Sequence, residues 1–147
     1  MNAKRITWMC VADANQARIL ARITPRSKLA AVTTLIHEEG YAHGRHEAPG
    51  RSQESATTAR HSFVDADGPV RREKREFAHE VADYLNRAAA RGEFDELVVA
   101  APARFLGDLR ATLDAPARRR VAAEIIKDLT KETEAELDAR LADLPRA

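Results

Sequence analysis

Along the first third of the chain the apolar positions lack the three-to-four spacing of a helical stripe. Residues 5–12 bring together Ile6, Trp8, Met9, Cys10 and Val11, large and β-branched side chains suited to a strand. Asp13, Ala14 and Asn15 supply turn chemistry, because Asp and Asn side chains bond nearby backbone amides and tolerate left-handed dihedrals. Residues 16–24 alternate Ala17, Ile19, Ala21 and Ile23 against Gln16, Arg18, Leu20 and Arg22, predicting a second strand with one apolar and one mixed face. Pro25, Arg26 and Ser27 punctuate it, and residues 28–37 predict a third strand carrying Leu29, Val32, Leu35 and Ile36. Turns this short join antiparallel neighbours, so the expectation is a meander.

The pattern then changes. Residues 38–69 scatter Gly40, Gly44, Pro49, Gly50, Gly68 and Pro69 among Ser, Thr, His and Arg, with Tyr41, Phe63 and Val64 as the main large apolar side chains. This reads as a long loop. Loops beyond about 12–15 residues without structure of their own are usually functional or disordered, and both readings stay open here.

Alternating helix and strand signals follow. Residues 70–91 place Phe77, Val81, Tyr84, Leu85 and Ala88 on one helical stripe, with Pro69 where a first-turn proline is tolerated and Gly92 closing the element. Residues 94–100 form a nearly continuous apolar run, the signature of a strand buried on both faces, and Pro102 opens a helix through Phe105, Leu106, Leu109 and Leu113. After Asp114, Ala115 and Pro116, residues 119–127 suit a strand through Val121, Ile125 and Ile126, although their Ala-Ala-Glu centre also permits a helix. Thr133 and Glu136 have the spacing of a capping box, and Leu137, Leu141 and Leu144 continue a final helical stripe. The order βββαβαβα predicts a three-layer α/β domain. It should hold a mixed five-stranded sheet whose second strand runs antiparallel to the rest, the ribonuclease H-like architecture found in translational-machinery components. That fold does not by itself assign a function.

Composition narrows the class. A chain of 147 residues with 44% apolar content can bury one substantial core, so residues 1–147 are read as a single domain with the long loop at 38–69. Lys plus Arg number 24 against 23 Asp plus Glu, and the net charge of +1 creates no global field, so any basic surface must be local. Cys10 is the single cysteine and lies in an apolar run; it can form no intramolecular disulfide and reads as a small buried thiol. Lys4 and Arg5 precede an apolar stretch that Asp13 ends at the lower limit of a signal h-region, with no small-residue cleavage site after it. No stretch approaches the ~18 apolar residues of a membrane span, so the expected compartment is the cytoplasm.

Candidate chemistry is sparse. His37, His43, His46 and His61 fall in or beside the long loop, and His43 with His46 could offer two imidazoles to a metal. Zinc wants about four ligands, usually with Cys or carboxylate support, so solvated histidines and no metal are expected. Asp13 stands where a two-ion nuclease keeps its first carboxylate, yet it also suits the turn, and the neighbouring strands carry no companion acid in their interiors. Ser52, Ser55 and Ser62 lie near histidines without a nucleophile elbow. Residues 100–104 place a helix N-terminus after a buried strand, where free amides can meet an anion; without a Gly-rich loop a plain βα connection is the favoured reading. No catalytic residue and no cofactor are assigned. Basic residues carry more: Arg45, Arg51 and Arg60 punctuate the loop, Arg71, Arg72, Lys74 and Arg75 open the long helix, and Arg118, Arg119 and Arg120 precede the last strand. Arginine grips phosphate through a bidentate fork, so such residues can give salt-dependent RNA binding. The helix run is read as solvated and paired with Glu73, Glu76 and Asp83, whereas Arg51 and Arg60 sit in a loop with no core to serve.

Residues 8–20, Gly50-Arg51-Ser52, Arg60-His61, Phe94-Asp95, residues 101–107 and residues 127–130, taken in order and spacing, resemble the bacterial family named "protein required for attachment to host cells". The resemblance spans nearly the whole chain. It implies a domain similar to the middle domain of archaeal and eukaryotic peptide release factors and of Pelota, a ribosome-rescue factor, with a role in translation. The family name records an attachment phenotype, which a cytoplasmic protein can influence indirectly. Release factors use a Gly-Gly-Gln tripeptide to admit water to the peptidyl-tRNA ester; here the nearest segment is Gly50-Arg51-Ser52-Gln53-Glu54, so peptidyl-tRNA hydrolysis is not expected. The expectation is a non-enzymatic protein binding the ribosome or RNA in a Pelota-like manner, away from membranes. Arg51, Ser52, Arg60 and His61 are the leading contacts, and Arg104, Lys127 and Asp128 the further ones. The alternative is an adhesion-related or regulatory protein acting through protein partners, with a metal-dependent nuclease or hydrolase third.

Overall fold

A computed structural model describes residues 5–37 and 68–145. The strands β1 (Thr7–Ala12), β2 (Gln16–Arg22) and β3 (Ala30–Ile36) are followed by helix α1 (Gly68–Ala90), strand β4 (Glu96–Ala101) and helix α2 (Ala103–Thr112). A short helix α3 (Ala115–Arg119), strand β5 (Val121–Ile126) and helix α4 (Glu134–Asp143) complete the order. The sheet runs β3-β2-β1-β4-β5. β2 is antiparallel to β1 and β3, while β1, β4 and β5 are parallel, so the mixed five-stranded sheet of ribonuclease H-like topology forms as expected.

Each face of this sheet has its own core. Trp8, Cys10, Ile19, Leu97 and Val99 point toward α1 and α2, where Phe77, Val81, Leu85, Phe105, Leu106 and Leu109 meet them. Met9, Val11, Leu20, Val98 and Ala100 point the other way, toward Leu137 and Leu141 of α4 and toward Leu29 and Leu129. Every residue of β1 and β4 is buried, as a strand covered on both faces requires. Burial pushes the Cys10 thiol up to about 12, which makes it an inert packing group. No helix among the described residues is long and apolar enough to cross a membrane.

Several element boundaries differ from the sequence expectation, each for a local reason. β2 stops at Arg22 because Thr24 and Ser27 close a turn, Ser27 N donating to Thr24 O at 3.0 Å. β3 starts at Ala30, since the Leu29 amide leaves the ladder to donate to Asp138 Oδ1 on α4 at 3.0 Å. Leu20, on the mixed face, belongs to the second core. Gly68 and Pro69, expected in the loop, open α1, with Gly68 at φ 45°. Helix α3 was not expected: Asp114 caps it, accepting from Ala117 N at 3.2 Å. The residues 119–127 do form a strand, trimmed to β5. The capping box on α4 is complete, with Glu136 N donating to Thr133 Oγ1 at 3.1 Å and Thr133 N to Glu136 Oε1 at 2.9 Å.

A polar junction ties the end of β1 to the segment after β5. Asp13 Oδ1 accepts from Asn15 N at 2.7 Å and Gln16 N at 2.9 Å, the expected turn role. Thr130 Oγ1 lies 2.6 Å from Asp128 Oδ1 and 3.2 Å from Asp13 Oδ2; its single proton serves the shorter contact. The Arg18 guanidinium donates to Thr130 O at 3.0 Å and to Glu132 O at 2.6 Å. The Thr130 hydroxyl, then its amide, holds the Asp128 carboxyl below the usual carboxylate range.

Two measurements test this account. Leu137→Ala should cost about 2–5 kcal/mol in urea unfolding, because Leu137 is fully buried where α4, the one described helix on its face, meets the sheet; a loss under about 1 kcal/mol would contradict that. Because the Asp128 pKa is depressed on folding, its stabilisation is complete above about pH 4 and fades as pH falls through the lower folded value. Asp128→Asn should therefore lower stability at pH 7 by about 1 kcal/mol or less after solvent screening. The gap from wild type should narrow as pH falls below about 4, and a gap independent of pH would count against the junction.

Candidate functional site

Three parallel strands deliver their carboxyl ends to one edge of the sheet, the place where open α/β sheets leave a crevice for ligands. Asp13 follows β1, Pro102 and α2 follow β4, and Lys127 to Thr130 follow β5. The Lys127 amide donates to Ala101 O at 3.1 Å, which holds the last two segments side by side.

Arg104 sits exposed in the first turn of α2. Opposite it, Arg71 and Lys74 stand three residues apart on α1 and so share a helical face. Together with Ala14, Pro102, Phe105 and Asp108 they line a cleft of about 350 Å³. Arg71 and Asp108 are joined by a two-pronged ion pair, Nη2 to Oδ1 at 2.8 Å and Nη1 to Oδ2 at 2.7 Å. The Nη1 contact is electrostatic and lacks hydrogen-bond alignment, leaving Oδ2 without a hydrogen bond in its buried position. Both side chains are mostly withdrawn from water, at 16% and 13% exposure, so the pair is held more rigidly than a surface salt bridge. Pro102 at the N-cap of α2 offers no capping side chain, and no acid occupies the first turn, so the positive end of that helix faces the same region.

The sequence candidates divide accordingly. Arg104 lies at the cleft; Lys127 and Asp128 lie on the same sheet edge, Asp128 engaged by Thr130. Arg51, Ser52, Arg60 and His61 fall outside the described residues. Arg71 and Lys74 were read as part of a solvated helix run, and their partner Asp108 lies 37 positions from Arg71 in sequence, so only the packing of α1 on α2 reveals the arrangement. His37 is a correction: it is buried, with Nδ1 3.2 Å from Ala14 O and its ring stacked 5.1 Å from Phe77. It closes the far end of the β1–β2 turn and is not a solvated loop histidine. His43, His46 and His61 lie outside the described residues. Arg118 and Arg120 donate to the carbonyls of Leu113 and Pro116, which secures α3 and commits part of that basic run to local structure.

Carboxylate chemistry is less open than the topology suggests. The interiors of the neighbouring strands offer Asp13 no companion acid, and the structure brings one from beyond β5, since Asp128 and Asp13 both approach the Thr130 hydroxyl. Backbone amides occupy Oδ1 of both carboxylates, and the Thr130 proton goes to Asp128. Among the described residues no group of three or more His, Cys, Asp or Glu side chains could hold a metal ion. What the edge offers is cationic: an attractive surface for an anion, with rigid Arg71 behind exposed Lys74 and Arg104.

Comparison with solved structures finds an archaeal translation termination factor, aRF1, at 14% identity and TM-score 0.47, covering 92% of this chain and 37% of that one. An archaeal protein matches at 16% identity and TM-score 0.48, covering 94% and 34%, and the Ppx/GppA phosphatase of Aquifex aeolicus at 11% and 0.43, covering 84% and 36%. The chain thus spans about a third of the length of the solved chains it matches. No curated protein sequence matches it. The family model described as "Protein required for attachment to host cells" matches residues 8–141, and the chain belongs to that family.

Proposed function

We propose that this protein is a non-enzymatic RNA-binding domain that acts on the ribosome in the cytoplasm, in the manner of a release-factor or Pelota middle domain. The observation that carries the reading is the convergence of Arg71, Lys74 and Arg104, from two different helices, on one cleft at the carboxyl edge of the sheet. With a net charge of only +1 the chain has no general attraction for nucleic acid, so a local concentration of cations is what RNA affinity requires. The Arg51, Ser52, Arg60 and His61 contacts proposed from sequence, with Lys127 and Asp128 on the same sheet edge as the cleft, extend this reading. The host-attachment description of the family fits as a downstream phenotype.

A second reading, regulation or adhesion through protein partners, draws on the outer strand β3, where Val32 and Ile36 are 44% and 53% exposed beside a sheet edge that no described strand pairs.

Ribosome co-sedimentation and binding of single-stranded RNA at low salt separate the two. Lys74→Glu with Arg104→Glu should weaken RNA binding at least tenfold and flatten the slope of log affinity against log salt by about 1.4, two contacts at ~0.7 each. Absence of co-sedimentation, together with unchanged RNA affinity in this variant and in Arg51→Glu with Arg60→Glu, would remove the RNA reading.

A further inference from the structure

We infer that the cleft between α1 and α2 is a site for a phosphomonoester, the terminal phosphate of a nucleotide or of an RNA 5′ end, in preference to the internal phosphodiesters of an RNA chain. The inference deepens the RNA-binding reading by naming the group this cleft takes.

Charge is the first argument. Arg71, Lys74 and Arg104 oppose one lining carboxylate, Asp108, which leaves two positive charges in excess among the lining residues. An internal phosphodiester carries a single negative charge, whereas a phosphomonoester carries roughly −1.5 to −2 at pH 7. The latter matches the excess over the described lining residues. Neither Lys74 nor Arg104 has a hydrogen bond or ion pair within the described residues, so both can turn to a ligand without breaking a contact.

Shape is the second. About 350 Å³ lies at the small end of ligand-pocket volumes, enough for a phosphate with its sugar and too little for a run of nucleotides. Pro102 and Phe105 give the cleft an apolar wall against which a ribose can lie. Rigidity is the third: the withdrawn Arg71–Asp108 pair fixes one guanidinium in the wall before any ligand arrives, which lowers the ordering cost of binding.

The test uses the full chain with AMP, adenosine, inorganic phosphate, and one short oligoribonucleotide prepared with a 5′-phosphate and with a 5′-hydroxyl. AMP should bind in calorimetry where adenosine does not, and the 5′-phosphorylated oligonucleotide should bind at least tenfold tighter than its 5′-hydroxyl twin. Affinity for AMP should fall as pH drops through about 6, where the phosphate takes up its second proton. Lys74→Ala with Arg104→Ala should abolish the 5′-phosphate preference; both side chains are exposed, and an unchanged melting temperature verifies the fold. Displacement of AMP by equal inorganic phosphate identifies free phosphate as the source and still supports a phosphate site, whereas failure to displace points to the nucleotide. Equal binding of the two oligonucleotides, or a preference that survives the double substitution, overturns the inference. Salt-dependent RNA binding with no end preference would sink this proposal and leave the RNA reading intact; AMP binding without RNA binding would do the reverse.

Discussion

β1 exchanges backbone hydrogen bonds with β2 on one side and β4 on the other, and all six of its side chains are buried. A polar side chain in that position needs a buried partner, so within β1 only its first residue, Thr7, is polar, and the other polar groups lie beyond its ends. Its direction is therefore decisive. Pairing parallel to β4, which is itself parallel to β5, sends three chain exits to one edge, so turn acids, a helix start and the cations of α1 and α2 gather there. The opposite edge receives the chain entries, where Arg5 binds Glu96 at 2.6 Å.

The two faces are unequal in kind. Two helices, the 23-residue α1 and the ten-residue α2, pack against each other as well as on the sheet, and their mutual contact is what brings Arg71 to Asp108. The other face depends on the ten-residue α4, and polar bonds supplement its packing: Arg140 grips Glu132 at 2.7 and 2.8 Å, Asp138 takes the Leu29 amide, and Arg18 reaches the carbonyls of Thr130 and Glu132. Removal of polar groups there would loosen a helix that few apolar contacts retain.

Sequence periodicity revealed β1 to β4 and the three longer helices, because each has a strong stripe, an apolar run or a cap: Phe77 to Ala88 in α1, the run in β4, Thr133 with Glu136 in α4; for β5 it left helix open beside strand. It missed what only tertiary packing supplies. Leu20 alternates with arginines on a mixed face, and only the fold shows it joining Leu137 and Leu141 in a second core; His37 looks like a loop residue until Phe77 stacks on it. Helix α3 is too short to show a stripe, and its signal lay in Asp114 as a cap before Pro116. Arg104 was visible as a candidate from its βα position, yet its companions belong to another helix, and no spacing rule links α1 to α2. Family resemblance was legible because it rests on short ordered segments spread across the chain, which the match over residues 8–141 also spans.

The parallel pairing of β1 with β4 also bears on how the protein is made. Ile6 and Asp95, which bond at the start of the two strands, stand 89 positions apart. A growing polypeptide presents β1, β2 and β3 long before β4 exists, and at about 5–20 residues per second the delay is roughly 5–20 s. Until residues 68–90 follow, β1 has two uncovered faces, and until β4 follows one of its edges stays bare. The nascent meander is thus the stage at which this chain is most exposed to misassociation, and emergence of residues 96–101 is the step that ends it.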